Sequence, residues 1–387
     1  MRQVAPGQAA NRPARLVDVA RAAGVHASTA SRVINGTGTL SIPAATRERI
    51  LDTARRLHYR PNAIARGLRT ASAGAIGLFV QSLRDPGLTP IIRGAFERAS
   101  ERGYVVLLSE DAGEPGATSA YQRLAGEGRV DGVLVAGARA GARADGVAAE
   151  FAPRVFVGRG GPSPGCSVSM REEDAGALAA GHLLSLGHRR LAHLAGPDDF
   201  DALRARHDGF LAAAAAAGAD VLTEHAALQE RTGFEAMSRL LAARPRPSAV
   251  FVSNAAQAVG ALAGARRAGC RVPSEVAILA GEDDPVAEFL EPPLTVITLP
   301  AYELGTAAVD ALIDQLEGGE PGDVVIRTPP RLVLRASTAP PGADPGALTF
   351  PPAGRFVRSR RLARTEGGPA SGSGGSENPF KPPPRPV

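Results

Sequence analysis

The stretch LVDVARAAGVHASTASRVIN, residues 16–35, decides how the first part of this 387-residue chain folds. It holds two sets of apolar residues at the spacing of a helix face, separated by a glycine. The first set is Leu16, Val19, Ala20 and Ala23, and the second is Ala30, Val33 and Ile34. Gly24 between them takes the positive φ of a tight turn at little cost. The stretch therefore predicts two short helices joined by a turn, and Ile50, Ala54 and Leu57 predict a third helix that packs on them.

The second of these helices carries polar residues away from its apolar face. They are Ser28, Thr29, Ser31, Arg32 and Asn35. Small hydroxyl groups donate hydrogen bonds to phosphates, and arginine grips guanine O6 and N7 in a bidentate way, so the set suits a helix lying in a DNA major groove. Spacing alone leaves a generic helical hairpin as the alternative.

Charge is distributed unevenly along the chain. Residues 1–73 hold 12 arginines, no lysine and 3 acidic residues, a net charge of +9, whereas residues 74–339 carry a net charge of −8. A small cationic head on an anionic body indicates that a polyanion binds at one end. A solvated basic arm is the alternative that charge alone leaves open.

The rest of the chain divides into a body and two terminal segments. From Gly74 onward, short apolar runs alternate with helical stretches in two successive series, which predicts two lobes, each a parallel sheet with helices on both faces. The Pro- and Gly-rich ends are expected to be disordered. The predicted domains are a leader at 1–14, a DNA-binding head at 15–60, a hinge at 61–73, a two-lobe body at 74–338 and a tail at 339–387.

Other classes of protein find little support in the sequence. A membrane span needs about 18 consecutive apolar residues and a secretory signal needs an apolar core, and neither pattern is present, so we expect a cytoplasmic protein. The two cysteines, Cys166 and Cys270, are expected to be free thiols.

Motifs for a nucleophile elbow, a phosphate loop or a dinucleotide-binding loop are missing, and His182, His188 and His193 lack metal-ligand spacing. We therefore expect no enzyme activity, cofactor or metal. An α/β enzyme and a solute-binding protein for transport are the alternatives, and both leave the +9 head unexplained.

The letters of the head carry a family resemblance. Residues 16–35, followed by TRERI and LHYRPNAIARGL, closely resemble the lactose/galactose-repressor (LacI/GalR) family, and the resemblance extends over residues 15–338. It implies an all-α helix-turn-helix DNA-binding head joined to an α/β two-lobe periplasmic-binding-protein-like core. The implied function is a nucleoid-associated transcriptional regulator, by default a repressor, that binds a palindromic double-stranded DNA operator as a homodimer. A tetramer is left open.

The resemblance also implies DNA-contacting residues. Thr29, Ser31 and Asn35 would hold phosphates, and Ala27, Ser28 and Arg32 would face base edges. His26 replaces a serine at the turn and would still donate to phosphate. Residues 62–70 would form a hinge helix in the operator's minor groove, beginning at Asn62, with Leu68 inserted beside Ala65 as a wedge at the central base step.

For the body, the resemblance implies a small-molecule effector in the cleft between the lobes. The implied ligand-binding residues are Gln81, Ser82 and Asp85 on the first lobe and Arg206, Asn254, Glu282 and Asp283 on the second. The sequence departs from the family pattern at Ala255, Arg171–Glu172 and Gly281. A sugar or related polyol is the default effector, by analogy with the family. A ligand-independent regulator with a degenerate pocket is the alternative.

Overall fold

The structure is a computed structural model that describes residues 14–35, 41–59, 72–110, 124, 126–137, 153–158, 167–343 and 356–357. The predicted leader, the hinge residues Asn62, Ala65 and Leu68, and most of the predicted tail lie outside these residues. Cys166 does too, whereas Cys270 is a buried free thiol. Within the described ranges, no helix is long and apolar enough to cross a membrane.

The head consists of three helices around a small apolar core. Their bounds are Leu16–Ala22 (α1), Ala27–Ile34 (α2) and Ala44–Arg56 (α3). The fully or nearly buried side chains are those of Val19, Ala20, Ala23, Ala30, Val33, Ile42 and Ile50, which contain both predicted apolar sets apart from half-buried Leu16 and Ile34. Gly24 has a φ of +64°, as a turn between α1 and α2 requires. The predicted helix-turn-helix is therefore confirmed.

The first lobe contains a six-stranded sheet. In chain order its strands are Ala75–Val80 (β1), Val105–Glu110 (β2), Gly132–Ala136 (β3), Arg154–Val157 (β4), Ser167–Ser169 (β5) and Val324–Val325 (β11). Across the sheet they run β11-β5-β4-β3-β1-β2, and every pairing is parallel. Strand β1 is buried along its whole length, as a central strand covered on both faces must be. Helix Leu88–Glu101 (α4) packs on this sheet.

The second lobe contains a seven-stranded sheet with the order β13-β12-β10-β9-β8-β6-β7. Its strands are Arg190–Ala195 (β6), Asp220–His225 (β7), Ala249–Val252 (β8), Ala277–Ala280 (β9), Thr295–Thr298 (β10), Arg331–Val333 (β12) and Phe356–Val357 (β13). Four helices belong to this lobe: Glu172–Ser185 (α5), Asp201–Ala216 (α6), Glu230–Ala242 (α7) and Ala255–Arg267 (α8). The two-lobe α/β architecture predicted from the alternation of strands and helices is confirmed. The second sheet is not parallel throughout, because β12 pairs antiparallel with both β10 and β13.

The chain crosses between the lobes more than once. After β10 of the second lobe, helix Ala301–Leu316 (α9) packs on β3, β4, β5 and α4 of the first lobe. Strand β11 then pairs with β5, and β12 returns to the second sheet beside β10. The cleft is therefore bordered by segments that are far apart in the sequence.

The segment predicted to be a disordered tail begins inside the folded core. Ala339 is buried, and its carbonyl oxygen lies 2.9 Å from Nε2 of His188, which is also buried. Phe356–Val357 pairs antiparallel with β12 at the edge of the second sheet. The edge of a sheet and a buried imidazole both need hydrogen-bond partners, and this segment supplies them. A prediction of disorder from composition does not take such tertiary partners into account.

Candidate functional site

The second helix of the head is capped at both ends by residues predicted to contact DNA. His26 is its N-cap, and the Nδ1 atom of His26 lies 3.3 Å from the Ser28 backbone N and 2.8 Å from Ser28 Oγ. At the other end, Nδ2 of Asn35 donates to the Ser31 carbonyl oxygen at 2.8 Å and to Ser31 Oγ at 3.1 Å. With Nδ1 of His26 accepting from the Ser28 backbone N–H, Nε2 is the ring nitrogen that can donate to a phosphate.

The outward face of α2 has the exposure that a recognition helix needs. Ser28 and Arg32 are exposed, whereas Ala30 and Val33 are buried against the other two helices. The remaining predicted contact residues, Ala27, Thr29 and Ser31, lie at the margin and are half-buried. Within the described residues Arg32 forms no salt bridge, so its guanidinium is available to an outside partner. The structure thus presents the DNA-contacting residues predicted within 26–35 together on one helix and its two caps.

The cleft-facing side of the second lobe is built around a buried ion pair. The guanidinium of Arg206, on α6, donates from Nε to Oε2 of Glu172 at 2.9 Å, and Nη2 lies 2.9 Å from the same oxygen. Both side chains are only 4% exposed. Nη1 of Arg206 donates to the carbonyl oxygens of Ser253 at 2.7 Å and Gly281 at 3.2 Å. Burial opposes the charged form of Arg206, but the neighbouring carboxylates, Glu172 first, leave its pKa raised.

Gly281 is a departure from the family pattern that this ion pair explains. A Cβ atom at Gly281 would lie 2.5 Å from the Ser253 carbonyl oxygen and 2.9 Å from Nη1 of Arg206. A side chain here would therefore displace the guanidinium. The sequence marks Glu172 only as a departure from the family pattern and not as a ligand-binding residue. Nothing in its local sequence shows that it contacts Arg206, 34 residues away.

Asp85 approaches this cluster from the first lobe. Its Oδ1 accepts a hydrogen bond from the Gly87 backbone N–H at 3.1 Å. Burial raises the pKa of Asp85, while the Gly87 N–H, the charge of Arg206 and the side-chain amide of Asn254 act in the opposite direction. Asn254 is fully buried and caps α8, with Oδ1 accepting from the Gln257 backbone N–H at 2.8 Å.

Glu282 reaches across from the second lobe to the first. A Cβ atom at Gly87 would lie 2.7 Å from Oε2 of Glu282, so the carboxyl group touches the first lobe's backbone. Oε1 of Glu282 is 3.8 Å from Nη1 of Arg206. Burial raises the pKa of Glu282 to about 8, and the negative charges of Asp85 and Glu172 add to the rise. The structure therefore brings Asp85, Arg206, Asn254 and Glu282, all predicted from the sequence, into one cluster.

The other predicted ligand-binding residues have different surroundings. Oδ1 of Asp283 accepts a hydrogen bond from Nη2 of Arg335 at 3.0 Å, which directs this carboxylate to an ion pair. The Oγ atom of Ser82 accepts from the Arg84 backbone N–H at 3.2 Å. Gln81 is half-buried at the end of β1 and is also engaged. The hydrogen bonds described for Ser82 and Asp283 therefore go to partners outside the Arg206 cluster.

The histidines noted in the sequence serve separate hydrogen bonds. His182 lies 3.0 Å from Thr338 Oγ1, and His188 lies 2.9 Å from Ser248 Oγ. Nδ1 of fully buried His193 is 2.6 Å from Nδ1 of His207, and its Nε2 is 3.1 Å from Ser253 Oγ. In the described part of the chain, no group of three or more His, Cys, Asp and Glu residues is arranged to hold a metal ion.

The chain is similar to known regulatory proteins in both sequence and structure. Residues 15–62 match the family described as bacterial regulatory proteins, lacI family, and residues 180–338 match the periplasmic binding protein-like domain. The ribose operon repressor of Escherichia coli K12 is 32% identical over 310 residues, 78% of this chain and 93% of that protein. The transcriptional repressor PurR of Mannheimia succiniciproducens is 29% identical over 330 residues, 84% of this chain and 98% of that protein.

A solved structure agrees with these matches. The lac repressor dimer bound to operator and the anti-inducer ONPF superposes with a TM-score of 0.76 at 29% identity, covering 85% of this chain and all of that one. The similarity includes both the DNA-binding head and the two-lobe core. This chain therefore belongs to the LacI family of bacterial transcriptional regulators.

Proposed function

We propose that this protein is a transcriptional repressor that binds a palindromic operator sequence as a homodimer through its head. The observation that carries the proposal is the outward face of α2, where Ser28 and Arg32 are exposed and the N-cap residue, His26, is exposed as well. Arg32 and the small side chains beside it would read base edges in the major groove, while His26, Thr29, Ser31 and Asn35 would hold phosphates. Asn62, Ala65 and Leu68 would form the hinge contacts in the minor groove.

Two-fold symmetry of the DNA site follows from the size of the head. One recognition helix reads too few base pairs to be specific in a genome, so two heads on a palindrome are needed. The second lobe offers apolar surface for pairing, because Phe289 is 81% exposed beside exposed Val286 on a short 3-10 helix, Pro285–Glu288. A homodimer, with a tetramer as the larger alternative, fits this surface and the dimeric lac repressor.

A small molecule in the cleft would control operator binding. Two lobes that contact through Asp85, Gly87 and Glu282 can open and close, and a ligand that prefers one state would shift the equilibrium between DNA-binding and released forms. A sugar or polyol is the ligand class suggested by family analogy; loss of ligand control is the alternative. In this proposal the protein performs no catalysis, holds no cofactor and acts in the cytoplasm on the nucleoid.

The domain boundaries proposed are those expected from the sequence, 15–60 for the head, 61–73 for the hinge and 74–338 for the effector-binding and dimerisation core. A truncated chain beginning at residue 74 should keep the two-lobe fold and lose operator binding. Failure of that truncated chain to fold, or its retention of operator binding, would contradict these boundaries.

Substitution of Arg32 tests the DNA-reading role. The operator is first found by selecting bound sequences from a random DNA pool with the wild-type protein. Arg32→Ala should then weaken operator binding by about 1–3 kcal/mol, roughly 5- to 150-fold, because one bidentate base contact is lost. Binding to random DNA should change far less. A gel-shift titration at fixed salt measures both affinities.

The matched control is Arg93→Ala, which removes the same charge from an exposed position of the first lobe. It should leave operator affinity within a factor of about two, since an exposed residue outside the head makes no base contact. An equal loss of affinity on operator and random DNA for Arg32→Ala would show that Arg32 contributes only charge, and the base-reading role would be wrong.

A further inference from the structure

Among the described residues, the cluster around Arg206 holds more negative than positive groups. Three carboxyl groups, those of Asp85, Glu172 and Glu282, surround the single guanidinium of Arg206. Glu172 takes two of the guanidinium nitrogens, at 2.9 Å each, whereas Glu282 is 3.8 Å from the nearest one. The Arg206–Glu172 pair is therefore neutral by itself. Asp85 and Glu282 are left without a full counter-charge.

In the described part of the chain, two buried polar atoms of the same cluster form no hydrogen bond of full geometry. They are Oε2 of Glu282 and Nδ2 of Asn254, both buried and without a partner of acceptable geometry among the described residues. Asn254 is completely buried, and its amide is directed at Asp85, whose pKa it lowers. A buried polar atom without a full hydrogen bond is unfavourable, and a ligand between the lobes would supply the missing partners of these two atoms.

Burial and mutual repulsion hold a proton in this cluster. Desolvation raises the pKa of Glu282 to about 8, and Asp85 contributes a further rise by charge repulsion. The groups facing Glu282 are Asp85 from the first lobe, Arg206 on α6, Glu172 on α5 and the Ala255 backbone N–H at the start of α8. At neutral pH Glu282 is therefore mostly protonated, which removes one of the two uncompensated charges.

We propose that the effector of this cleft carries a positively charged nitrogen, an ammonium or amidinium group, held between the carboxylates of Asp85 and Glu282. This inference rests on the proposed function, because it assumes that an effector binds between the lobes. The N–H groups of the cation donate to Oε2 of Glu282 and to Asp85. Nδ2 of Asn254 donates to an oxygen on the same ligand.

The geometry favours a cation over a neutral polyol or an anion. Gly87 links the two carboxyl groups, since its N–H donates to Asp85 and a Cβ atom at this position would lie 2.7 Å from Oε2 of Glu282. A cation at that point neutralises both, and binding releases the Glu282 proton to solvent. A polyol supplies hydrogen bonds but no charge, so it leaves the proton in place. An anion would add a third uncompensated charge.

The test compares matched ligands by isothermal titration calorimetry with the full-length protein. One set is glucosamine, N-acetylglucosamine and glucose, which share a ring and differ in charge, and a second is putrescine and 1,4-butanediol. Agmatine, whose planar guanidinium offers the same kind of N–H donors as an amidinium, represents that class of cation, and glucose 6-phosphate represents anions. Binding should be confined to cationic members. Affinity should tighten as pH rises from about 6 to about 8, by up to tenfold per unit, because the cation displaces one proton.

The variant Glu282→Gln should lose at least about tenfold in affinity for the binding cation together with its pH dependence. The control Glu235→Gln removes the same charge from an exposed position on α7 and should bind like wild type. Far-UV circular dichroism and the unfolding midpoint establish that both variants fold. If Glu282→Gln fails to fold, Asp85→Asn replaces it, and the same loss is expected.

Several outcomes would overturn the inference. Tight binding of a neutral or anionic member, or a cation that binds Glu282→Gln as well as wild type, would show that the charge assignment is wrong while the proposed effector control stands. If no compound of any charge binds or alters operator release, the effector part of the proposed function fails, and this inference fails with it. Operator affinity measured without ligand separates both cases from a protein that does not bind DNA.

Discussion

Removal of the Glu172 carboxylate should destabilise the second lobe strongly. The Glu172→Ala variant leaves the guanidinium of Arg206 buried, with only the Ser253 and Gly281 carbonyl oxygens and the more distant Glu282 carboxyl group nearby. Breaking one side of a buried ion pair costs about 3–5 kcal/mol, because the remaining charge has lost its solvation and its partner. The loss should lie near the lower end of that range above pH 8, where Glu282 is ionised and partly replaces the missing charge.

The assay is equilibrium unfolding in urea and by heat. Far-UV circular dichroism is the appropriate probe, because the chain contains no tryptophan. For domains of this size, about 1 kcal/mol shifts the unfolding midpoint by about 2–4 °C, so a fall of roughly 6–20 °C is expected. The control is Asp174→Ala, which breaks the neighbouring ion pair of Arg171 on the same helix, where both side chains are nearly half exposed. It should cost about 1 kcal/mol or less.

A double variant sharpens the interpretation. Arg206→Leu combined with Glu172→Met replaces both charges by apolar groups and should recover much of the stability lost in Glu172→Ala, because the buried charge is gone. A Glu172→Ala protein within about 1 kcal/mol of wild type would refute the reasoning, since it would mean that water reaches Arg206 despite its 4% exposure.

Three further expectations follow from other contacts. The carboxylate of Asp131 accepts hydrogen bonds from the backbone N–H groups of residues 73 and 74 and from the Ser72 hydroxyl. Asp131→Ala should therefore lower first-lobe stability by about 1.5–3 kcal/mol in urea unfolding and weaken operator binding in a gel shift. Unchanged operator affinity would show that these hydrogen bonds do not position the head. Burial lowers the pKa of His182 to about 4, so stability should fall as pH decreases from 6.5 toward 4, and His182→Gln should flatten that fall in thermal melts. Gly260→Ala should destabilise the folded protein by about 1–3 kcal/mol, because a Cβ atom would collide with a carbonyl oxygen of α7. Gly181→Ala, on an open helix surface, should instead stabilise the folded protein by about 0.5–1 kcal/mol. Similar unfolding midpoints for the two variants would contradict the close packing of α7 and α8.

Part of the DNA-binding face could be predicted from local pattern. Helix spacing in residues 16–35 placed Ala30 and Val33 inside and Ser28 and Arg32 outside, and the structure agrees at each position. The reason is that a short amphipathic helix sorts its own side chains through its 3.6-residue period. His26 and Asn35 as helix caps were not predicted. Their side chains bond to backbone and side-chain groups two and four residues away, which a search for DNA contacts alone overlooks.

The body was predictable to the level of its layers. Alternation of apolar runs with helical stretches indicated two parallel sheets covered by helices, because a fully buried strand reads as a continuous apolar run. The crossing of α9 and β11 into the first lobe was not predictable, since a strand-helix pattern does not state which sheet each strand joins. The same holds for Ala339 and for Phe356–Val357, whose ordered places depend on partners elsewhere in the fold.

The candidate effector cluster divides in the same way. The sequence by itself, through its resemblance to the LacI family, placed Asp85 on the first lobe's side of a cleft and Arg206, Asn254 and Glu282 on the second lobe's side. Only the tertiary structure decided that Glu172 is the carboxylate that takes the guanidinium of Arg206, and that Glu282 instead contacts Gly87 across the cleft. The physical reason is that the strength of a charge interaction depends on the distance between the two groups. Here groups 34 to 195 residues apart in the chain lie within about 3 to 4 Å of each other, which only the fold determines.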